Sequence, residues 1–380
     1  MTQPAPGNRR TDLTELVSPQ EALPTRKAHP GELVKYRPQR PDDYDPGIVL
    51  VGCGGIARHH LEAYRDAGLS VTGLVDVNLA AATALRDRFY PDAQVFQNHH
   101  DALRATDAEV FDVATHPQVR PSIIRDCLRA RRHVLSQKPF VLDLDVGQQL
   151  VELADEMGVY LAVNQNGRWA PHFSYMREAV AAGLLGETFA LRMSVDWDHT
   201  WVAGTAFEHV KHLVLYDYAI HWFDMVRCLL PNSRVERVYA TTTRAPHQAI
   251  MPALLGQVLI ELDNAQATMT FDAIVRHSPQ ERTYLAGTQG VALSLGKGNN
   301  DQQVTLTTDE GAYHPNLIGK WFPDGFRGTM CELLSSIREK RPTLISAADN
   351  LQSLGLCFAA IDSAQSGEPK RPGQTRQLPG

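Results

Sequence analysis

From Gly47 to Asn164, short apolar runs alternate with stretches whose apolar positions recur every three or four residues. The runs predict strands over 47–51, 70–76, 95–96, 110–114, 133–136 and 160–164. The stretches predict helices over 57–67, 79–89, 101–105, 119–130 and 144–157. Pro121 suits the first turn of its helix, and Asp143 the N-cap of the next. Strand and helix in alternation build a parallel, doubly wound sheet of the Rossmann type, which takes its ligands at the carboxyl ends of the strands.

Beyond Asn164 the rhythm changes. A helix over 171–182 closes at Gly183, a strand follows at 187–195, and a helix over 213–230 stops at Pro231. Strand patterns then follow one another at 234–243, 256–262, 265–272, 281–287, 290–295 and 303–307, joined by turns such as Asp263-Asn264. Helices near 325–340 and 347–366 end the chain. This half reads as α+β, an open and mostly antiparallel sheet with helices on one face. The expected organisation is therefore α/β plus α+β: a segment 1–46, a nucleotide-binding Rossmann domain 47–165, and a substrate-binding and oligomerisation domain 166–380.

Composition narrows the function classes. With 380 residues, 43% of them hydrophobic and 21% charged, the chain can build two cores and is not disordered throughout. A net charge of -6 argues against nucleic acid as a partner, and no apolar window is long enough to span a membrane. Five scattered cysteines, Cys53, Cys127, Cys228, Cys331 and Cys357, read as reduced thiols of a cytoplasmic protein. The first 46 residues carry eight prolines and few branched or aromatic residues, so this segment is a tail or an arm that orders against its own domain or a neighbouring subunit. Arg9-Arg10 is followed by Thr11-Asp12-Leu13-Thr14-Glu15, not by the apolar stretch of an export signal.

Candidate chemistry begins at Gly52-Cys53-Gly54-Gly55-Ile56-Ala57, between a predicted strand and a predicted helix. A strand that ends in G-x-G-x-x-A and enters a helix aims backbone N–H groups and a positive helix terminus at one point, which suits a diphosphate. Gly52 permits the turn, Gly54 lets the backbone approach the pyrophosphate, and Ala57 lets helix and strand pack closely. About 20 residues further on, as the dinucleotide fingerprint requires, the next strand ends at Asp76. A carboxylate there accepts both ribose hydroxyls of an adenosine and repels a 2′-phosphate. No Arg follows directly in Asp76-Val77-Asn78, so NAD is expected over NADP.

Three further groups carry candidate chemistry. Lys138, in Gln137-Lys138-Pro139, ends a strand on the cofactor side; sheltered, it exchanges protons with a substrate hydroxyl, and unsheltered it is a solvated charge. Asp217 and His221 stand at i and i+4 of a predicted helix, where the carboxylate orients an acid–base imidazole or both simply stabilise a helix start. Thr115-His116-Pro117 follows a strand that passes the nicotinamide ribose if the cofactor crosses the switch point.

Together these segments resemble the Gfo/Idh/MocA oxidoreductase family over about residues 47–370. The resemblance matches Gly52 to Ala57, with Gly55 and Ile56, to the family's glycine turn, Thr115 to Pro117 to its threonine–proline turn, and Gln137-Lys138-Pro139 to its E-K-P motif. Asp217 through His221 to Asp224 matches a D-x-G-x-H-x-x-D helix, and Arg168 with Pro171 an R-x-x-P segment. It implies Lys138 and His221 as the catalytic pair with Asp217 beside them, orienting the lysine or the histidine, and a homodimer or homotetramer through the antiparallel sheet. Gln137 stands where the family has Glu, and Ala219 where it has Gly.

Asp196-Trp197-Asp198-His199-Thr200-Trp201, with His209 and His212 further on, reads as a substrate-facing loop, since tryptophan stacks on sugar rings while Asp and His bond hydroxyls. No H-E-x-x-H or comparable spacing accompanies these residues, so no metal is expected. The pairs His59-His60 and His99-His100 read as surface or loop histidines. The resulting expectation is an NAD-dependent dehydrogenase of a secondary alcohol on a sugar, inositol or related polyol, with Arg168, Trp197, Asp198, His199, Asp217 and His221 at the substrate. Two alternatives stay open: an enzyme with tightly bound NAD that cleaves or epimerises a glycoside without net redox change, and a non-catalytic nucleotide-binding sensor.

Overall fold

Strand β1 (Ile48–Val51) presents Ile48 and Leu50 to one face of a sheet, and Val49 and Val51 to the other. All four are buried, the pattern of a strand covered on both sides. The computed structural model describes residues 34–298 and 300–380. Five more strands join β1 in parallel: β2 (Val71–Val75), β3 (Gln94–Phe96), β4 (Val110–Val113), β5 (His133–Gln137) and β6 (Leu161–Asn164). Their order, β3-β2-β1-β4-β5-β6, reverses direction between β1 and β4 and so opens a crevice at the carboxyl ends of those two strands.

Helices α1 (Ala57–Asp66) and α2 (Leu79–Phe89) cover the face that carries Leu50. Helices α3 (His99–Ala105), α4 (Arg120–Arg129) and α5 (Leu144–Met157) cover the other. Asp143 caps α5 by accepting from the Asp145 and Val146 amides at 2.7 and 3.4 Å, and Pro121 occupies the first turn of α4, both as read from the chain.

After α6 (Pro171–Ala181) comes the second sheet, formed by β7 (Thr188–Asp196), β8 (Val235–Thr243), β9 (Leu255–Leu262), β10 (Gln266–Asp272), β11 (Gln280–Gly287), β12 (Gly290–Gly296), β13 (Gln302–Thr308) and β14 (Gly311–Tyr313). Its order is β14-β13-β12-β11-β7-β10-β9-β8; the pairs are antiparallel except β7 with β10, which run parallel. Helices α7 (Ile220–Leu229) and α9 (Ala347–Ser366) bury the face of Val238, Ile260, Met269 and Leu191. The opposite face carries Tyr239 beside Leu259, with Tyr284 between the guanidinium groups of Arg192 and Arg282 at 5.3 and 5.4 Å.

Helix α8 (Trp321–Glu339) comes late in the chain yet packs on α1, burying Phe326, Met330 and Leu333 over the parallel sheet. It thereby ties the two sheets together. Residues 34–46 run across this junction. The Tyr36 carbonyl accepts from Ser174 Oγ at 2.5 Å, its hydroxyl accepts from the Ile318 amide at 2.7 Å, and Tyr44 donates to Glu109 at 3.0 Å. That part of the proline-rich segment is ordered against its own chain; residues 1–33 lie outside the described residues.

Candidate active site

Gly52 turns the chain at φ +100°, where a Cβ would meet the Ala114 carbonyl group at 3.0 Å. A Cβ on Gly54 or Gly55 would meet nothing within 4 Å, so both border open space. Helix α1 starts here without a side-chain cap at Ile56; the Ala57 amide turns back to the Gly54 carbonyl at 3.1 Å, and Ala57 is fully buried against the sheet. Asp76 accepts from the Cys53 and Asn78 amides, each at 2.7 Å, which ties the tip of β2 to the glycine turn. Burial, helped by the Asp76 charge, pushes the Cys53 thiol up to about 12, so it stays protonated. Across the switch point Thr115 Oγ1 is buried without a partner, Pro117 is half-buried and His116 exposed. Open glycines, an uncapped helix start and an orphaned hydroxyl fit an extended dinucleotide such as NAD.

The turns after β4 and β5 are held by Arg120, a residue the sequence did not mark. Its Nη1 donates to the carbonyls of Gln137 and Phe140 at 2.6 and 3.3 Å and to that of Pro139. Its Nε donates to Thr115 O at 3.1 Å, and Nη2 donates to the same oxygen. The guanidinium is fully buried; desolvation lowers its pKa to about 10, which leaves it charged at neutral pH. It clasps the Thr115 turn to the Lys138 turn.

Lys138 Nζ meets Asp217 twice, the carboxylate Oδ1 at 3.1 Å and the main-chain carbonyl at 2.9 Å. Of the two partners expected for Asp217, the lysine and the histidine, the carboxylate meets the lysine. The sequence predicts a single helix over 213–230, with Asp217 one turn before His221. Instead Val214–Tyr218 forms a π-helical turn, and α7 begins only at Ile220. The wider turn carries Asp217 to Lys138 and leaves His221 Nδ1 buried without a partner. Burial first, then the Lys138 charge, holds His221 well below the usual imidazole range, so it is a neutral group with a free ring nitrogen. Its position depends on Gly167, where a Cβ would meet His221 Nδ1 and Trp321 Cζ2, both at 3.1 Å. Trp321 in turn donates to Asn166 Oδ1 at 2.7 Å. Gln165, just past β6, is buried with both amide atoms unpaired.

The loop 197–212 divides. His199 packs on Tyr218 at 3.9 Å between centroids and stacks on Trp197 at 5.4 Å; His199 Nδ1, Trp197 Nε1 and Tyr218 OH are buried and unpaired. The His199 imidazole lies within the fields of Asp217 and Lys138. Asp198, expected at the substrate, instead accepts from Thr200 N at 2.9 Å and Thr200 Oγ1 at 2.7 Å, a local cap on the turn that follows. Arg168, also expected there, is buried: Nε and Nη2 donate to the two Asp224 oxygens at 2.6 and 2.7 Å, Nη2 also to Asp349 at 2.6 Å, and Nη1 to the Leu344 carbonyl. Four of its five N–H groups are thus engaged within the protein. Asp198, His199, His209 and His212 do not converge. Among the described residues, the group spaced for a cation is His99, His100 and Asp126, with His99 Nε2 at 3.0 Å from Asp126 Oδ2. His60 is not a surface residue but fully buried beneath the glycine turn, facing Asp112.

The depressed histidines give stability a pH signature. Burial lowers His199 from 6.5 to about 4, partly offset by Asp217 and Asp198, and His221 moves the same way. Their folded pKa values lie below the unfolded ones, so the unfolded chain takes up protons that the folded one refuses. The stability is whole above the unfolded value and is lost as pH falls from 6.5 towards 4. We expect the melting temperature to drop through this interval, and His199→Gln to make the drop shallower. An unchanged slope in that variant refutes the assignment.

Comparison with known proteins places this geometry. Residues 47–165 match the family model described as oxidoreductase family, NAD-binding Rossmann fold (GFO_IDH_MocA), and residues 173–293 match the model of the GFO/IDH/MocA C-terminal domain. D-apiose dehydrogenase of Paraburkholderia graminis is 27% identical over 341 residues, covering 84% of this chain and 88% of the relative. Inositol 2-dehydrogenase of Rhizobium meliloti is 22% identical over 325 residues, covering 83% and 95%. An oxidoreductase from Agrobacterium radiobacter, solved with NAD+, L-tartaric acid and magnesium, has the same fold: TM-score 0.77 at 21% identity, with 87% of this chain and 99% of that one aligned.

Proposed function

From its place in the GFO/IDH/MocA oxidoreductase family, to which this chain belongs, we propose that the protein is an NAD-dependent dehydrogenase that moves a hydride between nicotinamide and a secondary alcohol of a sugar, inositol or related polyol. The observation that carries the reading is Lys138 Nζ held at 3.1 Å from Asp217, in electrostatic contact with a neutral, unpaired His221 at the carboxyl edge of the parallel sheet. In this reading Gly52, Gly54, Gly55, Ile56, Ala57 and Asp76 hold the cofactor's adenosine diphosphate end, and Thr115, His116, Pro117 and Gln137 its nicotinamide end. Lys138, oriented by Asp217, donates a hydrogen bond to the reacting oxygen and stabilises its developing negative charge. His221, neutral, accepts the hydroxyl proton.

The charge inventory supports an uncharged substrate. Lys138 is paired with Asp217, and Arg168 with Asp224 and Asp349. The free buried groups, His199 Nδ1, Trp197 Nε1, Tyr218 OH and Gln165, are neutral hydrogen-bonding atoms, as a polyhydroxy molecule requires. The relatives named for D-apiose and inositol support the same class. Five free cysteines support a cytoplasmic location, and the uncovered face with Tyr239, Leu259 and Tyr284 supports a homodimer or homotetramer.

A panel of neutral sugars, inositols and polyols, assayed with NAD and NADP in turn, tests the reading. We expect NADH formation with at least one of them and little with NADP. Release of an aglycone or an epimer without NADH favours redox-neutral chemistry, and equal rates with both cofactors refute the role of Asp76. A monomeric mass in solution removes the oligomer.

A further inference from the structure

Strand β4 reads Val110-Phe111-Asp112-Val113, a carboxylate in an apolar run, and Asp112 is fully buried under α1. Asp112 Oδ2 lies 2.6 Å from His60 Nδ1 and accepts from Tyr64 OH at 2.6 Å; Oδ1 has no partner. The other ring nitrogen, His60 Nε2, faces the side-chain nitrogens of Gln137 and Asn164, each at 3.3 Å. Asn164 Oδ1 accepts from Thr329 on α8 at 2.8 Å, and Phe326 of the same helix packs on the His60 ring at 4.7 Å. The chain of contacts ends at the candidate active site, because Gln137 Oε1 accepts from the Lys138 amide at 2.7 Å.

The proton arrangement follows from that last bond. A peptide N–H can only donate, so the Gln137 oxygen must face Lys138, and the Gln137 NH2 must face His60. His60 Nε2 is then an acceptor, and its one proton sits on Nδ1, donated to Asp112. Charging the imidazole would set a donor against a donor. Relief would require Gln137 to turn over, which removes the acceptor from the Lys138 amide.

We propose that His60 is a positioning residue for Lys138: the Asp112–His60 pair, locked in the Nδ1–H tautomer, orients the Gln137 amide, which holds the Lys138 turn. The inference rests on the reading of Lys138 as catalytic. The other titratable groups around the imidazole are Tyr64 and His59 on α1, with Arg120 in the field of Asp112 and Cys331 of α8 in that of Tyr64. Strands β5 and β6 and helix α8 contribute the uncharged Gln137, Asn164, Thr329 and Phe326.

Imidazole ¹⁵N spectra of the full-length protein, with His60 assigned through His60→Gln, test the lock without reference to activity. The expected result is one protonated nitrogen, Nδ1. In Gln137→Glu the carboxylate accepts from Nε2–H, so both nitrogens become protonated. The kinetic arm uses Asp112→Asn, which should lower kcat by about 10–100-fold, the scale on which a small displacement of a catalytic group costs rate, with KM within about threefold. A doubly protonated or Nε2–H imidazole in the parent, or no change in Gln137→Glu, overturns the lock. A folded Asp112→Asn with full kcat overturns the positioning role. Failure of Lys138 itself is distinguishable, since turnover that survives its replacement leaves the ¹⁵N result intact.

Discussion

Replacing Lys138 with Met is expected to lower kcat by about 10³-fold, within the range that a positioned proton-transfer or oxyanion-stabilising group supplies. The loss should fall on kcat more than on KM, because the ammonium meets an oxygen whose negative charge grows only as the hydroxyl proton leaves. The fold should persist, since the Asp217 carboxylate freed by the change is partly open to water and needs no buried counter-charge. NAD affinity should also hold, for the glycine turn and Asp76 lie on the other side of the switch point. Asp217→Asn should cost less, since the Asp217 main-chain carbonyl still accepts from Nζ. The measurement is steady-state kinetics on the substrate found in the polyol panel, with NAD binding followed by fluorescence. A loss below tenfold removes Lys138 from the reaction.

That prediction rests on a contact the chain announced only in part. The glycine turn, Asp76 and Lys138 were legible because each sits where a strand ends, and strand ends follow from local apolar runs. Which of Lys138 and His221 takes Asp217 was not. Reading 213–230 as uniform helix puts Asp217 over His221, and nothing in Val214-Leu215-Tyr216-Asp217-Tyr218 marks a wider turn. A π-turn is decided by packing, here of Leu215 and Tyr216 into the core, and propensity does not register it. The parallel pairing of β7 with β10 escaped for a similar reason, because alternation along a strand says which face is buried and nothing about which neighbour lies alongside. Asp112 was passed over, although a lone carboxylate within an apolar strand is an anomaly the chain shows, and a buried polar group implies a partner. His60, read from the chain as a surface or loop histidine, is that partner, four residues before Tyr64 on the same face of α1.

Arg168→Met is expected to destabilise the protein by about 3–5 kcal/mol, the usual result of removing one partner of a buried ion pair. Read from sequence, Arg168 belongs with the substrate; in the fold it links the turn after β6 to α7 and α9. Asp224 is 1% exposed, and without the guanidinium it keeps Ser353 Oγ at 2.8 Å but no counter-charge. Asp349 fares better, since Arg227 still donates to it at 2.6 Å. The penalty therefore belongs mainly to Asp224, and that can be isolated. In Arg168→Met/Asp224→Met both charges are gone and apolar side chains of similar bulk occupy the site, so most of the lost stability should return. Denaturant unfolding of the parent, the single variant and the double variant measures both terms. A substrate-binding arginine would raise KM and leave stability unchanged. The ion-pair role is refuted by a single variant as stable as the parent, or by a double variant no better than the single. Because Asp224 and His221 share α7, the single variant should also lose activity at temperatures where it is still folded, as the helix that presents His221 loosens at its buried anchor.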